Sequence, residues 1–396
     1  MNRRVALALA VAAVGLLAVG VALAVAPGGE EPAPAPELRA LDVEHCRAFA
    51  DDDARACYGR EFLAMVDGLD DPRPAVARIT GAARSEGGFL LENCHVIMHT
   101  VGRTYADDAD VTLGTLMDYL PADNDPGCPA GFAHGLVTGV APDIDTGDPR
   151  AATSACEGAE TRFQRYSCVH GFGHAFMRLY EDQLEPALEL CTALGPEAAP
   201  DCAQGAYHDY WFAVVGADDA ALPEGEEAAD PWALCGKQPE TYVRQCWYRA
   251  FLENRPAGFR VESPADIEDL CEGLDGLQRE GCVTAASVIG PADPAEQLRL
   301  CSRLRSVSDA ENCVRGTKVQ NLQDAPVEAH ARLAGGCEQF AAAARGACYA
   351  WLGKVLAVLT DGEFGRTGCP RLRSAGAQRA CAAGARRMQE PLVTFS

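Results

Sequence analysis

The sequence predicts an all-α protein, an α-solenoid of about ten disulfide-stapled helical hairpins preceded by an N-terminal transmembrane helix. Three observations carry that expectation. Cysteines recur at a near-constant interval along most of the chain. Apolar residues between them keep helical spacing. No segment shows the sustained period-2 alternation of a strand.

The N-terminal element comes first. Arg3 and Arg4 precede an uncharged run from Val5 to Ala26, long enough to span a bilayer as a helix. Arginines before such a run stay cytoplasmic, which places the rest of the chain outside, anchored to the cell membrane. The run also fits a signal peptide, with Ala24-Val25-Ala26 as an A-x-A site, and the protein would then be secreted. Its length, and Pro27 directly after the site, favour the anchor. The stretch PGGEEPAPAP follows and reads as an extended, semi-rigid stalk. The expected divisions are 1–26 for the membrane segment, 27–40 for the linker, and two blocks of repeats over 41–225 and 226–396.

Export makes the cysteines disulfide candidates. The chain has 396 residues and 18 cysteines, all of which are assigned to bridges. Eight pairs stand 11 or 12 residues apart: Cys46/Cys57, Cys156/Cys168, Cys191/Cys202, Cys235/Cys246, Cys271/Cys282, Cys301/Cys313, Cys337/Cys348 and Cys369/Cys381. Cys94 and Cys128 fall outside that spacing, yet both lie where a second cysteine of a pair is due. They either bridge each other or serve as thiolate ligands. Equivalent positions of stacked hairpins are normally too distant for a bridge, and export favours one nonetheless.

Each unit reads as two helices. In the segment from Leu184 to Val214, Leu184, Leu188 and Cys191 share a helical face, and Gly195-Pro196 ends that helix. Asp201 is placed to cap the next, which Cys202 opens and Tyr207, Trp211 and Val214 continue. A Cys191–Cys202 bridge staples the two across their turn. In unit length and layout the design resembles tetratricopeptide-like helical-hairpin arrays. The signature residues of those arrays are absent, so the resemblance implies architecture alone.

One motif is reused in successive second helices. CPAGFAH, CVHGFGH and CAQGAYH all fit C-x-x-G-x-x-H, ending on His134, His174 and His208. CHVIMHTVGR is a variant carrying His95 and His99, and CVHGFGH adds His170. Later copies, such as CWYRAFL, CVTAASV and CVRGTKV, drop the histidine. Six of the eight histidines therefore sit in four consecutive units, and His45 and His330 read as surface residues. A structural need of the repeat would apply to every unit, so these histidines serve something local.

His95/His99 and His170/His174 are i,i+4 pairs, a spacing that lets two imidazoles reach one metal. The expected metal ligands are His95, His99, His134, His170, His174 and His208, as one site or as two sets of three. Zinc is the first expectation for the cofactor. Copper has support from Met98 and Met177, whose thioethers lie beside the histidines, and iron would draw on Asp209, Asp107, Asp108 or Asp118. The His208-Asp209 dipeptide is similar to that of helical metal phosphohydrolases, but nothing around it matches their pattern.

The formal charge of −23 argues against nucleic acid and anionic headgroups as partners. No G-x-S-x-G, H-E-x-x-H or P-loop is present, and no catalytic residue, reaction or small-molecule substrate is indicated. Two functions remain. One is a metal-dependent enzyme or metal-binding protein. The other is a membrane-anchored extracytoplasmic interaction solenoid with structural histidines. In either, the repeats of 226–396 offer a scaffold or a surface for a protein partner.

Overall fold

The computed structural model describes residue 38 and residues 41–215, 231–254, 259–322 and 325–392, and among these there are helices and no strand. The N-terminal apolar run expected to form the anchor or signal lies outside the described residues, as does the stalk.

The unit from Leu41 onward begins with α1 (Asp51–Val66), α2 (Arg73–Glu86), α3 (Gly88–Asp108), α4 (Cys128–Gly139) and α5 (Arg162–Leu179). It continues with α6 (Leu184–Ala193), α7 (Ala199–Val215), α8 (Val243–Glu253), α9 (Pro264–Leu270) and α10 (Gly276–Ile289). It ends with α11 (Pro294–Cys301), α12 (Val307–Arg315), α13 (Val327–Gly335), α14 (Ala342–Leu359) and α15 (Ala375–Ala385). Local chemistry sets many of these starts. Thr161 accepts from Gln164 N–H before α5, Ser306 from Asp309 N–H before α12, and Ser374 from Ala377 N–H before α15. Asp293 caps α11, with Pro294 as its first residue.

The helices α1, α3, α4, α5, α7, α8, α10, α12, α14 and α15 carry the second cysteine of each unit, and each packs on the next in chain order. The first arm of the hairpin is less regular than expected. Cys46, Cys156, Cys337 and Cys369 lie on 3-10 turns rather than on α-helices. A short arm whose end is held by a bridge needs only one tight turn to present its cysteine.

All eight expected short bridges are present. They are Cys46–Cys57, Cys156–Cys168, Cys191–Cys202, Cys235–Cys246, Cys271–Cys282, Cys301–Cys313, Cys337–Cys348 and Cys369–Cys381, with Cα–Cα distances of 5.4 to 5.8 Å. Cys94 and Cys128 form the ninth, at 5.0 Å, which removes them as thiolate ligands. Asp201 does not cap α7. That helix starts at Ala199, and the buried Asp201 carboxylate pairs with Arg162 on α5 at 2.8 Å.

The row also turns back on itself. α14 touches α5, the Asn124 amide donates to the Leu359 carbonyl at 2.8 Å, and Leu392 N–H meets Asp201 at 3.3 Å. Ala130, Phe163 and Tyr166 share one apolar core with Leu352, Val355 and Leu356. Cys282, Cys313 and Cys348 belong to the same core, so their bridges join the hairpins from inside. Ala342–Leu359, the one described helix long and apolar enough to cross a bilayer, is largely buried in this core.

Candidate metal centre

Four of these helices carry the six histidines: His95 and His99 on α3, His134 on α4, His170 and His174 on α5, His208 on α7. Ordinary helix contacts hold axes about 8–10 Å apart, too far for stacked imidazoles to meet unaided. Glycine removes that spacing. A Cβ on Gly131 would collide with the His95 carbonyl, and one on Gly135 with the His99 carbonyl, so α3 and α4 are pressed backbone to backbone. Gly205 against the His170 carbonyl, and Gly173 against the Cys202 carbonyl, do the same for α5 and α7. The same approach explains how Cys94 and Cys128 come within bridging range.

Each glycine-pinned pair contributes three histidines. In the first, ring centroids are separated by 4.8 Å (His95–His99), 5.0 Å (His95–His134) and 5.2 Å (His99–His134). In the second they are separated by 4.9 Å (His170–His174), 5.4 Å (His174–His208) and 6.3 Å (His170–His208). The two sets face each other, with His99–His174 at 4.8 Å and His134–His170 at 4.6 Å. The structure thus brings all six expected histidines into one cluster.

Nitrogen positions are specific. His95 Nδ1 donates to the carbonyls of Pro126 (2.7 Å) and Gly127 (3.2 Å), so its Nε2 carries the lone pair. That Nε2 lies 3.0 Å from His99 Nε2, which lies 3.2 Å from His134 Nδ1. Nitrogens on a tetrahedral ion with bonds of roughly 2.0–2.1 Å sit about 3.3 Å apart, so the spacing fits ligands on one cation. In the second set, Asp209 Oδ1 approaches His174 Nδ1 to 2.8 Å, and the Tyr166 hydroxyl lies 3.4 Å from His170 Nδ1 while donating to Gln204. Outer groups of this kind fix the tautomer of metal-binding histidines. The Nε2 atoms of His134, His170 and His174 are buried and have no hydrogen-bond partner among the described residues. Two three-histidine groups, His95/His99/His134 and His134/His170/His174, have ligand atoms within 4.8 Å of one another.

Burial dominates the electrostatics. It pushes His95 down to about 4 and holds His99, His134, His170 and His208 well below the usual histidine value. Neighbouring imidazoles and the Arg249 charge act in the same direction. At neutral pH these five rings are uncharged, the state in which imidazole binds a metal. His134, His170 and His174 are buried, and His95, His99 and His208 are half-buried as residues.

The cysteines stand apart from this chemistry. Cys168 and Cys202 share helices with the histidines but are bonded to Cys156 and Cys191. Cys246, Cys282, Cys313 and Cys348 lie on helices without any of the six histidines and are bonded to Cys235, Cys271, Cys301 and Cys337. All six of these second cysteines are fully buried, and no described cysteine is free, so none offers a thiolate to an ion. Their part is to staple the fold.

Several other expectations resolve here. Asp209 and Asp107 line an open cleft of about 510 Å³ with Arg103, Arg178, Glu181 and Asp182, whereas Asp108 and Asp118 are exposed elsewhere. Met98 and Met177 are fully buried core residues. His45 is exposed as expected, but His330 is buried, with Nε2 on the Leu322 carbonyl at 2.7 Å and its ring against Phe364. The helix around it supplied an apolar pocket that the local sequence did not announce. Arg249 and Tyr166 carry no signal in the sequence, because neither falls in a copy position marked by histidine. No protein-family model, curated protein or solved structure matches this chain.

Proposed function

We propose that the chain is an exported helical-repeat protein whose six histidines hold a transition-metal centre, working as a metal-dependent enzyme or a metal-handling protein. The observation that carries this reading is the convergence of neutral imidazole nitrogens at metal-ligand spacing. The two groups at ligand spacing share His134, which favours one centre spanning both sets, with His208 beside His174. Zinc suits an all-imidazole set in an oxidising compartment, with copper second.

Nine disulfides suit an extracytoplasmic protein. The same reading takes residues 1–26 as a membrane anchor and the row of helices as a curved solenoid. It assigns the repeats of 226–396 to scaffolding or partner binding.

The test is elemental analysis of protein purified without a His tag. At least one equivalent of transition metal per chain is expected from the shared set of nitrogens. His174→Ala should lose metal while retaining its helical circular dichroism. Metal-free wild-type protein after exposure to zinc and copper, or full retention in the variant, would sink the reading.

A further inference from the structure

Arg249, on α8, occupies the position in CWYRAFL that Gly131, Gly171 and Gly205 hold in the histidine-bearing copies. Where three units remove a side chain, the next one inserts a long cation. Its side chain is 2% exposed. Nη1 makes one long hydrogen bond, 3.4 Å, to Glu253. Nε and Nη2 are buried and have no hydrogen-bond partner among the described residues.

Those two atoms form one edge of the guanidinium, the edge that takes two oxygens side by side. This chain uses it elsewhere in that way. Arg279 holds Asp309 through Nε and Nη2 at 2.8 and 2.7 Å, and Arg73 holds Asp71 at 2.7 and 3.0 Å. On Arg249 no carboxylate of the described residues takes the corresponding place.

The location gives that edge a meaning. α8 packs on α7, which carries His208, and the Arg249 charge reaches His95, His99, His170 and His208. Neutral imidazoles do not offset a bound dication, and Asp209 is the one carboxylate against the six rings among the described contacts. A buried guanidinium beside such a centre calls for an anion.

We propose that the free edge of Arg249 receives a two-oxygen oxyanion, a carboxylate or a phosphate, bound at the histidine centre. The ligand or substrate is then an anion held between metal and guanidinium. This rests on the metal reading above.

Titration calorimetry with inorganic phosphate and with acetate tests it on metal-loaded protein of measured metal content. Saturable binding of one of them is expected, weakened about tenfold or more in Arg249→Met, as for loss of a bidentate charged pair. Arg249→Lys keeps the charge, loses the fork, and should be weakened too. Equal affinity in wild type and both variants, or no saturable binding of either anion, overturns the proposal. If no metal is found, the earlier reading falls by that measurement. Phosphate binding to the metal-free chain then decides this one: dependence on Arg249 upholds the receptor, and its lack removes it.

Discussion

Asp209 Oδ1 stands 2.8 Å from Nδ1 of the buried His174, while about a third of the Asp209 side chain (34%) faces the open cleft. One carboxylate therefore touches both the centre and the solvent side. Its charge stands against Nδ1 of that ring and leaves Nε2 for a metal. Asp209→Asn should weaken metal binding about 10–100-fold, the usual effect of removing such an outer partner. Competition with a chelator measures it. An unchanged affinity would show that His174 is oriented by packing alone.

Two glycines in helices give opposite predictions. A methyl on Gly205 meets the His170 carbonyl, so Gly205→Ala should destabilise by about 1–3 kcal/mol and weaken metal binding. Gly346, inside α14, has nothing near its missing Cβ, so Gly346→Ala should stabilise by roughly 0.5–1 kcal/mol. Urea midpoints under non-reducing conditions compare them. The idea that glycine sets the helix spacing fails if Gly205→Ala is neutral.

The histidines tie stability to pH. Burial takes His95 from 6.5 in the open chain to about 4 in the fold, and lowers His99, His134, His170 and His208 for the same reason. The unfolded state thus binds more protons than the folded state between those values. Stability of the metal-free protein should be greatest above about pH 6.5 and fall as the pH drops towards about 4. Denaturant midpoints across that window report it. A flat profile would mean the five rings take up protons in the fold as they do in the open chain.

Removing individual bridges separates fold from centre. The Cys94–Cys128 bridge spans 34 residues and ties α3 to α4 beside His95. Replacing both cysteines with serine should cost about 4 kcal/mol on the chain-entropy estimate and should also weaken metal binding. The same change at Cys369 and Cys381, 12 residues apart and on the last hairpin, should cost about 3 kcal/mol and leave metal content intact. Equal metal affinity in both variants would count against the link between that bridge and the site.

Much of this was readable from spacing. The interval from Cys57 to Cys381, the short bridges and the six clustered histidines are all local patterns, and local patterns survive folding. Other features depend on how backbones approach. Helix spacing alone predicted that Cys94 and Cys128 would be too far apart, because it took no account of Gly131 against the His95 carbonyl. His330 looked exposed because the Phe364 ring that covers it comes from a later turn. Arg249 carries no local mark, since its meaning lies in burial and in two nitrogens without a hydrogen-bond partner among the described residues. The contact of Leu392 with Asp201 spans 191 residues and has no local trace.

The pairing of the cysteines has a consequence for how the molecule is made. Every bridge, including Cys94–Cys128, joins a cysteine to the very next one in the chain. A reduced chain presented all at once faces a large set of wrong partners; eight cysteines alone allow about a hundred arrangements. A chain threaded N-terminus first into an oxidising compartment meets its correct partner each time, provided each thiol waits for its successor. Order of arrival then encodes the connectivity, and the walls around the histidines are locked before the later repeats have emerged.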